Sequence, residues 1–354
     1  MHTRRTAVPT RTVLPGEGSR MKTAVFGAGS WGTTFAQVLA DAGNEVVLWC
    51  KRPELARAIN ATHENADRLP GVLLPSPILA TDDPAEALAA AEVAVLAVPA
   101  QTLRHNLTCW RELLPADVVL VSLMKGIEHG TGDRMSEVIA QVTGAPPERI
   151  GIVTGPNLAP EIAARQYSGT VVACADLQTA DRLQKACHTA YFRPYTNPDV
   201  VGCELGGAVK NVIALAVGIA IGMGLGDNTK AMLITRGLAE IARLGAALGA
   251  DQHTFAGLAG MGDLIASCSS PLARNRSFGE KLGRGIPLHD VIASTNQAAE
   301  GVASCQPVLQ LARKHGVEMP ITEVMVAVVH DGLEIGEAVL MLASRSAKPE
   351  RYGI

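Results

Sequence analysis

Residues 21–32, MKTAVFGAGSWG, decide the fold of this 354-residue chain. Met21–Gly27 is an apolar run of strand length. It passes directly into Gly27-Ala28-Gly29-Ser30-Trp31-Gly32, and a helical stretch follows to Gly43. In a strand–GxGxxG–helix unit the first glycine permits the tight turn. The second lets a pyrophosphate approach the backbone, and the third lets helix and strand pack closely. The helix amino terminus then faces the phosphates. Gly27, Gly29 and Gly32, with Ser30 and Trp31 between them, are therefore candidate dinucleotide contacts. The alternative is a purely structural glycine turn.

The next strand candidate is Glu45–Cys50. An NAD-type site places an acidic residue at its end for the ribose 2′-hydroxyl. Here the end reads Lys51-Arg52, two cations suited to a 2′-phosphate, so NADP(H) is expected to serve at least as well as NAD(H). A solvated loop with its charges in water is the competing reading. Further strands are expected at Ile78–Thr81, Glu92–Pro99, Val118–Ser122 and Arg149–Thr154, then at Thr170–Ala173 and Tyr191–Tyr195. Helices are expected at Asp82–Ala91, opened by an Asp-Asp-Pro cap, at Gln101–Leu113 and at Asp176–Thr189. Residues 60–77 read as a long loop or short helix. The alternation predicts an α/β fold, a doubly wound parallel sheet of Rossmann type. Ligands of such sheets bind beyond the carboxyl ends of the strands. Lys125 and the segment Gly155-Pro156-Asn157-Leu158-Ala159-Pro160-Glu161 both occupy that edge. A surface lysine and an ordinary helix start are the respective alternatives.

After Asn197-Pro198 strand-like runs stop. Helical patterns fill about 199–224, 228–249, 276–283, 288–294, 302–315, 320–331 and 334–342. The chain divides into a basic extension (1–20), expected to be disordered with Met21 as an alternative start, a nucleotide-binding domain (21–198) and an all-α substrate domain (199–354). Gly202–Lys230 carries an uncharged run from Val212 to Gly226. It is too short for a bilayer span, so a buried core helix is expected. Lys210 sits on it beside Asn211. A lysine at a core edge either snorkels to water or is held there for chemistry. Gly206 and Gly207 next to it could admit a ligand close to the helix.

Two clusters follow. Gly260-Met261-Gly262-Asp263-Leu264 puts an acid in a glycine-bracketed turn, or at a helix cap. Leu272-Ala273-Arg274-Asn275-Arg276 offers guanidinium and amide donors suited to phosphate, or simply a charged helix start. The composition is 47% hydrophobic and 3% aromatic, with a net charge of -3. No broad basic surface for nucleic acid is implied. Seven scattered cysteines without a CxxC argue for a reducing compartment and against a zinc site.

Together these segments resemble the NAD(P)-dependent glycerol-3-phosphate dehydrogenases of the bacterial type. The resemblance rests on GAGSWGTTFA (27–36), MKGIE (124–128), GPNLAPE (155–161), ELGGAVKNVIALAVGI (204–219), GLGDNTKA (224–231), GMGDLIASC (260–268), LARNRSFG (272–279) and AAEGV (298–302), in the family's order. It implies a second domain like that of 6-phosphogluconate dehydrogenase. It implies Lys210 as the catalytic proton donor and acceptor. Lys125, Gly155, Asn157, Asp263, Ala273, Arg274 and Asn275 fall at substrate positions. Ser30, Trp31, Lys51, Arg52, Lys125, Ala159, Arg274, Ala298 and Glu300 fall at cofactor positions. Asn157, Leu158, Ala273 and Ala298 depart from the residues the family often has there, and Ala273 is left with only its backbone to offer.

The reaction implied is reversible hydride transfer between NAD(P)H and dihydroxyacetone phosphate, giving sn-glycerol 3-phosphate for phospholipid synthesis. The apolar second domain and the resemblance both point to a homodimer. The cysteine usage points to a cytoplasmic location, nothing in the sequence anchors the chain to a membrane, and no metal is expected. Two lysines in one site are expected to depress each other's pKa, with Asp263 opposing. Within enzymes the alternative is a two-domain dehydrogenase for β-hydroxyacids or 6-phosphogluconate. Outside them it is a non-catalytic nucleotide sensor.

Overall fold

The computed structural model describes residues 20–294, 300–346 and 349. The basic extension therefore lies outside the described residues, apart from Arg20. Among them, β1 (Lys22–Phe26), β2 (Glu45–Trp49), β3 (Ile78–Thr81), β4 (Val93–Leu96), β5 (Val119–Ser122), β6 (Ile150–Thr154), β7 (Ser168–Cys174) and β8 (Phe192–Asn197) form one sheet. Its order is β3-β2-β1-β4-β5-β6-β7-β8. The connecting helices are α1 (Ser30–Asp41), α2 (Pro53–Thr62), α3 (Pro84–Leu88), α4 (Leu103–Trp110), α5 (Met135–Thr143), α6 (Ala159–Ala163) and α7 (Leu177–Cys187). β4 and β5 are buried along their whole length, which is why they read as unbroken apolar runs.

β1 to β6 run parallel, as the sequence predicts for a doubly wound sheet. β7 departs from this and lies antiparallel to β6, while β8 returns parallel to β7. The reason is the connection. A parallel return needs a crossover that spans the strand's length, and the five-residue α6 covers only about 7 Å.

From Val200 onward the described elements are helical: α8 (Val200–Gly222), α9 (Asp227–Ala247), α10 (Asp263–Ser269), α11 (Arg274–Gly283), α12 (Leu288–Ala293), α13 (Glu300–Lys314), α14 (Pro320–His330) and α15 (Ile335–Ala343). Asp199 starts α8 by accepting the Gly202 N–H at 2.9 Å. Nearly every residue of α8 is buried, and the helical core forms around it. The glycines that weaken a helix in isolation serve contact here. A Cβ on Gly218 or Gly222 would lie 2.1 or 2.2 Å from the carbonyl oxygens of Arg276 and Glu280. Gly279 and Gly283 of α11 meet the Leu215 and Ile219 carbonyls in the same way. The two backbones touch, and this sets where Arg274 and Asn275 stand relative to Lys210.

Three helices were not anticipated. α2 opens with Pro53 in its first turn, a start signal present in the sequence. α5 carries Met135, Val138, Ile139 and Val142 at helical spacing, a signal present in the sequence. α10 is hidden behind the π-helical turn Leu258–Gly262, whose glycines read as loop. The expected helix at 101–113 is α4 flanked by two 3-10 turns.

Candidate active site

The glycine loop has a distinct geometry at each glycine. Gly27 has φ +120°, and a Cβ there would stand 2.6 Å from the Ala97 carbonyl oxygen. A Cβ on Gly32 would meet the Gly27 oxygen at 2.0 Å, so this position holds α1 against the turn. Gly29 has open space around it and caps α1 without a side-chain hydrogen bond, leaving the helix's first amides for a ligand. This open cradle fits a pyrophosphate.

The segment after α2 lies on this loop. Asn65 is fully buried and donates to the Ala28 oxygen at 3.0 Å and to Thr33 Oγ1 at 2.9 Å. The Ser30 hydroxyl donates to the Arg68 carbonyl at 3.1 Å. This brings Arg68, which sequence reasoning missed, to the rim of the cradle. Its only sequence signal was a cation in a polar loop. The predicted cations Lys51 and Arg52 stand exposed after β2. Arg52 is ion-paired to Asp67 and lies 3.9 Å from Glu54.

The second part of the site lies where β5 and β6 end against α8 and α10. Lys125, just past β5, donates to the Gly155 carbonyl at 2.9 Å and to Asp263 Oδ2. Lys210 donates to the other oxygen, Asp263 Oδ1, at 2.8 Å and to the Ser267 hydroxyl. Asp263 directly follows the glycine-containing turn Leu258–Gly262, as the turn reading has it, and is the buried first residue of α10 rather than its cap. Burial pushes the Lys125 ammonium down to about 8. Asp263 opposes this and Lys210 adds to it, so desolvation outweighs the mutual repulsion expected from sequence.

Gly206 and Gly207 have a different use from the one expected. A Cβ on Gly206 would lie 2.4 Å from the Ala259 oxygen. One on Gly207 would meet Thr154 Oγ1 at 2.8 Å and the Lys125 chain at 3.4 Å. They admit the π-helical turn and Lys125 rather than a ligand.

Several buried polar atoms here have no partner among the described residues: Thr154 Oγ1, Asn157 Oδ1 and Asn211 Nδ2, with Trp31 Nε1 at the glycine loop. Such atoms are costly unless a ligand or water satisfies them. Asn157 Nδ2 is held by Thr170 Oγ1 at 3.0 Å. Thr154 and Asn211 were not singled out as contacts from sequence.

At the start of α11, Asn275 accepts the Gly301 N–H at 2.9 Å through Oδ1, which turns its Nδ2 donors away from that bond. Arg274 is exposed beside it. Ala273 offers less than expected. Its N–H already donates to the Ser270 oxygen at 3.1 Å and its carbonyl accepts from Ser277 at 3.0 Å. Burial pushes the Glu300 carboxyl up, while Arg274, Lys210 and Lys125 pull it back, so all four share one field. Ala159 begins α6, and its carbonyl accepts from Thr34 of α1 at 3.4 Å. Ala298 lies outside the described residues.

Comparison with known proteins identifies the family. A profile described as the NAD-dependent glycerol-3-phosphate dehydrogenase N-terminus matches residues 22–180, and the corresponding C-terminus profile matches 199–340. Glycerol-3-phosphate dehydrogenase (NAD(P)+) of Streptomyces griseus is 65% identical over 331 residues, 94% of this chain and 98% of that one. The protein of the same name from Thermobifida fusca is 64% identical over 334 residues, 94% of this chain and 99% of that one. The crystal structure of glycerol-3-phosphate dehydrogenase from Coxiella burnetii superposes with a TM-score of 0.88 at 36% identity, covering 92% of this chain and 99% of that one.

Proposed function

The chain belongs to the NAD-dependent glycerol-3-phosphate dehydrogenase family, and from that premise we propose how its residues divide the reaction. It is an NAD(P)-dependent oxidoreductase, interconverting dihydroxyacetone phosphate and sn-glycerol 3-phosphate. Residues 21–198 hold the dinucleotide and 199–354 supply the substrate site. One observation carries the assignment: Lys125 and Lys210, from the two halves, meet on Asp263 beside the sheet's carboxyl edge.

A bound nicotinamide supplies the hydride, or takes it up in the reverse direction. Lys210 gives the proton to the alkoxide that develops on the ketone oxygen. Lys125 adds positive charge there, in a largely buried site that strengthens each charge interaction. Asp263 aims both ammonium groups, and the Ser267 hydroxyl holds Lys210 from a second direction. Asn157, Thr154 and Asn211 have unmet hydrogen-bonding capacity for the substrate's oxygens. Arg274 and the Nδ2 of Asn275 clamp the phosphate, a remote handle that orients the reacting carbon. Ala273 lines this pocket without bonding.

Ser30, Trp31, Ala159 and Glu300 contact the cofactor, with Gly29 facing its phosphates. Lys51 and Arg52 attract a 2′-phosphate, Arg52 by exchanging Asp67 for it, and Arg68 adds charge at the cradle. The seven free cysteines, six of them buried, support a reducing cytoplasm. Exposed Met232, Leu340 and Met341 on the helical half support a homodimer. α8, long and apolar enough to span a bilayer, has 89% of its apolar window buried inside the protein, which supports a chain without a membrane anchor.

The test is oxidation of NADPH and of NADH followed by absorbance, with dihydroxyacetone phosphate against unphosphorylated hydroxyacid and ketone substrates. Turnover confined to dihydroxyacetone phosphate is expected. Preference for a β-hydroxyacid or 6-phosphogluconate would overturn the assignment.

A further inference from the structure

Lys125 stands on a loop, and loops hold a side chain poorly unless something ties them down. The loop from Met124 to Arg134 is tied at several points. Gln101 donates to the Ile127 oxygen at 2.8 Å and accepts the His129 N–H at 2.9 Å. Arg104 grips Glu128 with two bonds of 2.8 Å. Both ties come from the sheet half. The Ile127 side chain, however, is fully buried in the core of the helical half.

A second tie to the helical half lies at the loop's far end. Glu204, in the second turn of α8, is buried. Its carboxylate accepts the Ser136 N–H at 2.8 Å, the Ser136 hydroxyl, and Arg134 Nη1 at 2.7 Å. Arg134 is also ion-paired to Glu137 at 2.7 Å, and its N–H donates to Glu137 Oε2 at 2.8 Å, at the head of α5. Burial pushes this carboxyl up, while Arg134 and the two Ser136 donors pull it back, and both of its oxygens are met. Lys210 lies six residues further along the same rigid helix, about 9 Å away by helix rise.

These contacts give the two lysines one frame. Lys125 is joined through its loop to Arg134 and Ser136. Those are joined through Glu204 to the helix that carries Lys210. The Lys125–Asp263 pair ties the sheet half to α10, and its attraction outweighs the repulsion between the two ammonium groups, so the lysines' separation follows from where each is held. We propose that Glu204, acting with Arg134 and Ser136, is a positioning residue that sets the separation of Lys125 and Lys210 across Asp263. The proposal rests on the lysine roles given above.

The test is Glu204→Gln, which keeps the shape and an acceptor for the Ser136 N–H but turns an amide donor toward Arg134. Loss of the frame lets Lys125 drift from Asp263, while Lys210 and Glu300 remain the other charges facing it. The expected result is a fall in kcat of about 100-fold, the scale of an ångström's misplacement. The alkaline limb of the kcat/KM profile moves to lower pH, and the NADPH dissociation constant changes less than twofold. Arg134→Lys, which keeps the charge and loses the fork, falls between wild type and Glu204→Gln. It carries the same readouts if Glu204→Gln does not fold.

A lowered Tm with unchanged kcat and an unmoved limb would reduce Glu204 to a structural role and overturn the proposal. Full activity of Lys210→Ala would instead overturn the catalytic assignment itself, so the two failures are distinguishable.

Discussion

Lys125 and Lys210 end on the two oxygens of a single buried carboxylate, one reaching Asp263 Oδ2 from the sheet's edge and the other Oδ1 from α8. Neither lysine has a second carboxylate bonded to it among the described residues. Asp263 is thus shared between two ammonium groups, with Glu300 as a further acid in the same field.

Removing the proposed proton donor tests the role of α8 directly. Lys210→Ala is expected to lower kcat by about 100- to 10,000-fold, the range of general acid catalysis. NADPH affinity, measured by fluorescence titration, should survive, because the glycine cradle is untouched. Near-normal turnover would refute the assignment.

The Lys125 ammonium is held down to about 8 chiefly by burial. It is charged below that pH and loses its charge above it, so kcat/KM should fall as pH rises through about 8. In Asp263→Asn the charged form loses its carboxylate support, and this limb should move to lower pH. Stability carries its own sign. The unfolded chain binds this proton up to the ordinary lysine value, so Lys125 makes stability rise with pH between about 8 and 10.5. pH–rate profiles and urea titrations read the two effects separately.

Glu240 gives a second pH dependence, far from the site. It accepts the Ile321 N–H at 2.6 Å, the Thr322 N–H at 3.3 Å and the Thr322 hydroxyl at 3.1 Å, holding the start of α14. Burial still pushes it up to about 7 from an ordinary 4.5. The folded state thus binds more protons between those values, and stability should fall as pH rises through that window. The loss is at most about 3 kcal/mol. Glu240→Gln should flatten this slope in urea titrations from pH 4.5 to 8; an unchanged slope would assign it elsewhere.

Arg274→Ala should raise KM for dihydroxyacetone phosphate about 10- to 100-fold, the worth of a charge-assisted bond. Unphosphorylated dihydroxyacetone should lose little. An equal loss on both substrates would remove the phosphate clamp.

Gly218→Ala places a methyl 2.1 Å from the Arg276 carbonyl, a backbone atom that yields only if α11 shifts. A stability loss of about 1–3 kcal/mol is expected by thermal or urea unfolding. Substrate KM should rise as well, since α11 begins at Arg274.

Much of this was open to a reader of the chain alone, because local order is written at short range. Gly27, Gly29 and Gly32 each answer to a backbone demand within a few residues. The apolar strands and helical periods are likewise local, and so the Rossmann sheet and helical half were legible. The motif series went further and picked out Lys125, Lys210 and Asp263, which the fold brings together in one cluster. What the sequence did not carry is how distant segments meet. Nothing near Gly206 says that a π-helical turn 53 residues on needs its space, and nothing near β6 says that α6 is too short to bring β7 back parallel.

The sequence by itself determined most of the strands and long helices, the dinucleotide cradle and the inventory of charged groups. The tertiary structure alone decided that Lys210 is held by Asp263 rather than released to water. It also decided that Glu204 ties Arg134 to α8 and that α8 and α11 touch along glycines. These depend on burial and on contacts between residues far apart in sequence, and desolvation gives each charge its strength only once the surrounding chain has closed over it.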